Sequence, residues 1–585
     1  LLADPRFAPP VALEPEAHRR RVVAQLGLLA GEGLGRIGLP RSAGGADDPS
    51  GAVTVVETLG HGDLSLTVAF GIQFGLFAGA VLGLGTEIHH ERFLPAAGRF
   101  DVSGCFAMTE TDHGSNIRDL RTVARYDRMA DGFVLHTPDD GAAKDYIGNA
   151  TFAQWAAVFA RLVVDGDDRG LHPFVVRLRD DSGELLPGRR IEDCGAKAGL
   201  HGLGNGRMTF DGVRLPREAL LDRFGTVDPD GKYSTPFSSA GERFAAMLVA
   251  LLPARVAVAG AAVSAAKTAL TVAVRYGERR RQFGPAGRPE QPLLDYPTHQ
   301  RRLLPGLAAT YALHFAVGRA ATEALGAFEE GKTGDDRRRT DALVAAVKAA
   351  ATWHAVATAQ ACREACGGRG YLADMRLGSI RADVDVFTTF EGDNTVLLQL
   401  VARSLLLDLR SEFEAATRRD VLVHLARPLA VRLAGAAGAR RRPGDVGFAL
   451  DALRWRERHV LGDLGRRVQR RIAAGEDADD AFLAHQAQAT EAAMAYADRV
   501  LLECFSVAVD TGPPEWRPWL TELCRLHGLA RLEATAAWLL EHHYLGPATA
   551  RALRPAINEL CGRLRPQARA MADGFAVPDA VLGAG

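Results

Sequence analysis

The sequence predicts an α+β chain that is mainly α. An N-terminal helical domain covers residues 1–100, a central β-barrel or sandwich 101–235, a C-terminal helical bundle 236–420, and a further helical region 421–585. Three observations predict this. In the first hundred residues apolar side chains recur at helical spacing, over Pro15 to Ala30 and along Val53 to Leu84, with a Gly- and Pro-punctuated loop between Gly31 and Gly51. From about 101 the texture changes to short β-type runs separated by turn residues. From 242 onward, three long Ala- and Leu-rich stretches follow, roughly 242–276, 293–331 and 337–366. Short loops between long helices predict an antiparallel bundle.

The β-type runs are Cys105–Met108, Phe133–His136, Trp155–Val164, Phe174–Leu178 and Arg207–Leu215. Pro138-Asp139-Asp140-Gly141 and Asp165-Gly166-Asp167-Asp168 supply turns between them. Gly225 to Gly241, rich in Gly, Pro, Ser and Asp, reads as a linker, and Gly331 to Asp336 as a turn between two helices. The last bundle helix ends at Gly367-Gly368, and a new helical pattern begins after Thr395 with Val396, Leu397, Leu400, Val401 and Leu405 on one side. Between them lies Phe390-Glu391-Gly392-Asp393-Asn394. Glu391 thus stands near a helix N-terminus, where the dipole favours a charged carboxylate, and beside a glycine that leaves room for a flat group. Spacing alone reads Glu391 as a helix-capping acid.

Composition sets bounds. A chain of 585 residues exceeds what one hydrophobic core holds, so several domains are expected. Hydrophobic residues make up 47% and charged ones 24%, ordinary for a globular protein, and a net charge of −1 points to neither nucleic acid nor an anionic membrane surface. The cysteines are odd in number, seven, and Cys362 and Cys366 are one helical turn apart rather than a CxxC pair. They read as reduced and packed, in a cytosolic-type compartment, with no metal site. The longest apolar run, Ala245 to Ala266, carries Pro253 and Arg255 and reads as a buried helix, not a membrane span. With no basic-plus-apolar leader and no SKL-type end, a cytoplasmic protein is expected. The abundance of Ala, Gly and Arg suits a bacterium with GC-rich DNA.

Phe106 to Asn116 is a strand running into a polar loop whose Gly114-Ser115 turn offers backbone amides to an anion. Gly199 to Gly206 contains G-x-G-x-G, but it precedes a strand and opens no helix, so a dinucleotide fold is rejected. Arg279-Arg280-Arg281-Gln282-Phe283-Gly284 is a basic cluster at a helix end, where cations suit the dipole.

Taken together and in order, Ala107-Met108-Thr109-Glu110 with His113-Gly114-Ser115-Asn116, Lys144 to Asn149, Gly199 to Gly206, Arg280 to Gly284, Gly367 to Leu372 and Arg381 to Gln399 closely resemble the acyl-CoA oxidase branch of the acyl-CoA dehydrogenase superfamily, here of bacterial type. The resemblance runs from about 104 to 405; the region 421–585 resembles the second C-terminal helical domain of acyl-CoA oxidases. It implies bound FAD. Met108 and Thr109 would line the flavin pyrimidine, Gly114 and Ser115 face phosphate, and Gly148 stand where dehydrogenases place a hydroxyl against flavin N5. Arg280, Gln282 and Phe283 would hold the pyrophosphate of FAD bound mainly by another subunit, with Gly367 and Gly368 contacting the same cofactor and Asp393 a further contact. Glu364 stands where the family has glutamine, leaving that contact to the glycine backbone. Glu391 would be the base, with Arg255 and Gly392 on the substrate side.

The resemblance further implies α,β-dehydrogenation of an acyl-CoA, as in fatty acid β-oxidation, in a homodimer or higher homo-oligomer. The reduced flavin would be reoxidised by O₂ to give H₂O₂, and Gly148 would favour this by opening space at the flavin's reactive edge. Alternatives are a dehydrogenase that passes electrons to electron-transfer flavoprotein, an enzyme acting on a carrier-protein thioester, and a non-catalytic helical scaffold.

Overall fold

The computed structural model describes residues 2–249, 252–329, 334–415 and 444–583. The expected boundary at 420/421, part of the apolar run Ala245 to Ala266, and Gly331 to Thr333 of the expected turn lie outside the described residues. The chain divides into two compact units, Leu1–Ala261 with Ala324–Gly331, and Ala262–Glu323 with Lys332–Gly585.

The first unit opens with helices α1 (Pro15–Gly31), α2 (Pro49–Leu59), α3 (Leu64–Phe70), α4 (Ala78–Leu84) and α5 (Glu87–Arg99). Val22, Leu26 and Leu29 bury one face of α1. The expected single apolar stretch from Val53 to Leu84 is broken because Asp63 starts a new helix, accepting from Ser65 N at 2.9 Å, and because residues Gly71–Phe77 wind as a π-helix. Gln73 in that π segment is fully buried. Its amide donates to Ala97 O and Val102 O, and its oxygen accepts from Gly104 N at 2.6 Å. One side chain thereby ties the helical region to the first strand.

Nine principal strands follow: β1 (Gly104–Ala107), β2 (Val123–Asp127), β3 (Gly132–His136), β4 (Lys144–Ile147), β5 (Trp155–Val164), β6 (Asp167–Arg177), β7 (Arg189–Asp193), β8 (Gly206–Phe210) and β9 (Val213–Pro216). They form a six-stranded sheet, β1-β5-β2-β3-β9 with β6 on β5, and a three-stranded sheet, β4-β8-β7. The run expected over Arg207–Leu215 is two strands in different sheets, because Gly212 takes φ +58° and turns the chain. Sequence reading missed β7, Arg-Arg-Ile-Glu-Asp, an edge strand with no apolar alternation. The expected linker Gly225 to Gly241 contains a small hairpin, Thr226–Val227 paired with Tyr233–Ser234. The glycine-rich segment before β8 is a turn held by Lys197, whose ammonium donates to Leu200 O, Leu203 O and Asn205 Oδ1. No helix opens after it, as expected.

Further helices are α6 (Ala240–Val249), α7 (Leu252–Arg279), α8 (Pro297–Glu329), α9 (Gly334–Ala365), α10 (Leu377–Val386) and α11 (Asn394–Ala415). In the second unit Lys267 meets His314, and a Cβ on Gly306 would lie 3.9 Å from both Leu270 Cδ2 and Thr358 Oγ1. Thr310 meets His354 at 2.8 Å. The paired numbers run in opposite directions, so α8 is antiparallel to both α7 and α9. Alanines 342, 345, 346 and 349 of α9 pack with Leu397, Leu398 and Val401 of α11 and with Val460, Leu464, Ala489 and Ala493 of two later helices, Val446–Ala473 and Gln486–Thr511. Small residues at this spacing let the helices approach closely. Near the end of the chain, Tyr311 donates to Met571 O and Arg275 pairs with Asp573 and Asp579.

Among the described residues, three stretches, Leu64–Leu84, Ala240–Arg279 and Gly334–Ala365, are long and apolar enough to cross a membrane by length and composition, and more than half of each such window is buried inside the structure. The seven cysteines are free, and all but Cys194 are buried.

Candidate active site

The turn between α10 and α11 places two consecutive residues in the left-handed region. Glu391 sits at φ +55° and Gly392 at φ +101°. A left-handed conformation is uncommon for a residue with a side chain and is retained where the surroundings enforce it. A Cβ on Gly392 would lie 2.8 Å from Leu397 Cδ2 and at a φ that L side chains rarely adopt, so glycine suits this position. The cap of α11 is Asp393, whose Oδ1 accepts from Thr395 N at 2.9 Å and Val396 N at 3.2 Å. The capping role that spacing offered to Glu391 is therefore filled two residues later by Asp393, which, expected at the cofactor, spends one oxygen on the helix.

Lys348, on α9, is completely buried. Its ammonium donates to Gly392 O at 2.7 Å and to Asn394 Oδ1 at 3.0 Å. Thr352, one turn further along α9, accepts from Asn394 Nδ2 at 2.9 Å. Sequence reading missed Lys348. The available signal was a lysine amid Val344, Ala345, Ala351 and Thr352, positions that the helical period buries.

In the first unit, β1 runs into Met108, Thr109 and Glu110. The Thr109 hydroxyl donates to Asp145 O at 2.8 Å, which leaves the hydroxyl oxygen as an acceptor. Asp145 N donates to Thr109 O at 3.1 Å. Lys144 donates to Met108 O and to Glu110 Oε1, both at 3.0 Å, and Lys144 and Glu110 are completely buried. Glu110 also accepts from Arg121 N, Thr122 N and the Thr122 hydroxyl. Burial pushes the Lys144 ammonium down to about 8, against the pull of Glu110. Burial acts to raise the Glu110 carboxyl, but the Lys144 charge and the N–H donors override it and hold the group below its ordinary value. Gly114 and Ser115 lie exposed on the loop that follows, and a Cβ on Gly114 would meet nothing within 4 Å.

Gly148 does not open space as expected. A Cβ there would lie 2.3 Å from Ile72 Cδ1 and 3.4 Å from Leu203 Cδ2, so the protein's own side chains occupy that volume. Gly148→Thr is accordingly expected to cost about 1–3 kcal/mol of stability by overpacking, and Ile72→Ala in the same chain to recover part of the loss. Chemical denaturation of the single and double variants reads this out.

At the C-terminal end of α7, Arg280 is exposed, Gln282 pairs across a two-residue ladder with Gln291, and Phe283 takes φ +53° with 77% of its surface exposed. At the C-terminal end of α9, Gly367 (φ +57°) and Gly368 are exposed, with nothing within 4 Å of either Cβ position. Because α7 and α9 run parallel with Leu270 and Thr358 level, nine residues in each case carry Arg279 and Gly367 to the same end of the bundle. Along α9, Ala365 is about 25 Å from Lys348 at 1.5 Å per residue. The second unit therefore sorts the expected residues into two groups: Arg280, Gln282, Phe283, Gly367 and Gly368 at one end, and Glu391, Gly392 and Asp393 well away from it. Arg255 is half-buried in the first turn of α7.

Taken separately, each unit offers groups that suit part of a flat, phosphate-bearing cofactor. The glycines at 114, 367 and 368 leave open surface where a backbone can be approached, the Arg280 guanidinium matches a pyrophosphate, and the Thr109 oxygen offers an acceptor to a ring N–H.

Residues 6–100 and 105–213 match the N-terminal and middle domains of acyl-CoA dehydrogenases. Residues 248–406 match the acyl-CoA oxidase C-alpha1 domain, and 445–585 match acyl-CoA oxidase. Peroxisomal acyl-coenzyme A oxidase 2 of Arabidopsis thaliana is 37% identical over 604 residues, covering 99% of this chain and 85% of that protein. The chain belongs to the acyl-CoA oxidase family. The crystal structure of acyl-CoA oxidase 3 from Yarrowia lipolytica superposes with a TM-score of 0.87 at 30% identity, covering 100% of this chain and 84% of that one. Acyl-CoA oxidase-1 of Caenorhabditis elegans, solved with FAD and ATP, shares the fold with a TM-score of 0.83 at 23% identity, covering 99% and 85%.

Two expectations are corrected by these relatives. The Arabidopsis oxidase is named peroxisomal, which overturns the cytoplasmic expectation; reduced cysteines and a neutral net charge carry no information that separates the two compartments. The relatives are eukaryotic, so the bacterial type is not supported. Ala, Gly and Arg content reports on codon composition, not on the fold.

Proposed function

We propose that this acyl-CoA oxidase family member converts an acyl-CoA to its trans-2-enoyl-CoA, using bound FAD and O₂ and releasing H₂O₂. The observation that carries the reading is the Glu391 turn: a carboxylate in a left-handed conformation, relieved of capping by Asp393 and held from α9. Glu391 takes the α-proton of the thioester. Its backbone N–H is the donor to the thioester carbonyl, since an unaided carboxylate is too weak a base for an ordinary α-proton unless the developing negative charge is stabilised. Gly392 and Arg255 lie on the substrate side. Met108 and Thr109 hold the flavin ring, with Gly148 at its edge, and Gly114 and Ser115 face phosphate. Bound FAD would accept the β-hydrogen as hydride and pass the electrons to O₂, chemistry that belongs to the cofactor.

The separation of the Arg280–Gly368 group from Glu391 supports a homodimer in which that exposed end serves the FAD of a second subunit. The functional division is 1–100, 101–235, 236–420 and 421–585, and the apolar helices are core elements rather than membrane spans. The purified protein is expected to carry one FAD per subunit and to elute as a dimer. An absorbance spectrum and light scattering test both points. Lack of a flavin band after incubation with FAD would refute cofactor binding, and a flavin-loaded monomer would refute the shared site. Stoichiometric H₂O₂ on turnover tests the acceptor; reduced enzyme that is stable in air yet reoxidised by electron-transfer flavoprotein would make the chain a dehydrogenase.

A further inference from the structure

We infer that Lys348 is a positioning residue for Glu391, acting through the Gly392 carbonyl. This rests on the reading of Glu391 as the base. A fully buried ammonium is a costly group that an apolar side chain of similar size often replaces without loss of stability, so its partners indicate its role. Its partners include the carbonyl of the residue after Glu391 and the side chain of the first residue of α11. A charge-assisted hydrogen bond is roughly twice as strong as a neutral one.

The Gly392 carbonyl belongs to the peptide unit between Gly392 and Asp393. Lys348 fixes that unit, Asn394 N donates to Thr388 O, and Asp393 Oδ1 fixes the N–H groups of Thr395 and Val396. Thr352 orients Asn394, so that Asn394 Oδ1 faces the ammonium. With the chain immobilised from Gly392 onward, the left-handed pair at 391 and 392 has little freedom to unwind. Without the ammonium, Glu391 would relax toward negative φ, swinging its carboxylate and its own N–H together. One substitution would then misplace both the base and the thioester donor, and displacements of about 1 Å can cost about 10²-fold in rate.

The test uses FAD-loaded enzyme and straight-chain acyl-CoAs from butyryl- to stearoyl-CoA. Lys348→Met is expected to bind FAD normally and to slow anaerobic flavin reduction at saturating acyl-CoA by about 10²-fold, with KM changed only a few-fold. Hydrogen exchange in the peptide Phe387 to Val396 should speed up, with or without FAD, while the rest of α9 keeps its protection. The double variant Lys348→Met with Asn394→Leu removes the ammonium together with the side-chain oxygen it pairs, leaving only the Gly392 carbonyl without its donor, and should regain part of the stability without regaining rate. Wild-type reduction rate and unchanged exchange in Lys348→Met would overturn the inference, as would a double variant that recovers rate together with stability. Where methionine prevents folding, Lys348→Gln, one atom shorter, gives the same readouts. Failure of every acyl-CoA to reduce the wild type would refute the proposed function instead, and the exchange result would still decide the role of Lys348 in holding the turn.

Discussion

Glu391→Gln is expected to slow flavin reduction by acyl-CoA by about 10²–10⁴-fold, the usual contribution of a general base. FAD content and enoyl-CoA binding should stay near wild type. Glutamine keeps the shape of the side chain and the backbone N–H but cannot accept the α-proton. The left-handed turn should survive, because the bond of Lys348 to the Gly392 carbonyl, the Asp393 cap and the close packing of Gly392 on Leu397 all stay in place in this variant. Stopped-flow reduction under anaerobic conditions is the measurement. Near-normal reduction would mean that another group is the base, and since Asp393 already supplies the cap of α11, Glu391 would then have neither role.

Lys144→Met is expected to give the largest loss of stability, about 3–5 kcal/mol, because it leaves the Glu110 carboxylate buried without its counter-charge. The loss should be concentrated in the β domain and should show as a lower denaturant midpoint for that unit. Lys144→Met with Glu110→Leu should be less unstable than Lys144→Met alone, since an apolar pair leaves no stranded charge. The local effect is on Met108, whose carbonyl also accepts from the ammonium, so FAD affinity should fall together with stability. The same pair makes the domain acid-sensitive. Glu110 is held below its ordinary value in the folded state, so its contribution is fully present above the unfolded carboxyl range and is lost as pH falls through the folded value. Stability that did not change between neutral pH and pH 3 would show that the pair contributes nothing.

What could be read from the order of residues was local in origin. Helix and strand periods depend on which neighbours share a face, so the long helices of the bundle and strands such as Trp155–Val164 were legible at close to their observed limits. Glycine and proline punctuation located the turns for the same reason. Motif order pointed to a family, because residues that bind one cofactor keep their sequence context. Where a pattern carried no apolar signal, as in edge strand β7, the reading failed.

The tertiary structure decided matters that depend on distant partners. Lys144 and Glu110 lie 34 residues apart, and Lys348 and Gly392 lie 44 apart; neither pairing leaves a periodic trace in the sequence. Whether Gly148 faces empty space depends on Ile72, which sequence spacing does not place beside it. The choice of Asp393 over Glu391 as the cap depends on two residues of register, finer than a helix boundary read from periodicity. The parallel course of α7 and α9, which gathers Arg280 and Gly367-Gly368 at one end and leaves Glu391 far from them, follows from how both pack on α8. Local preference sets each element, but only packing in three dimensions determines which carbonyl a buried ammonium reaches.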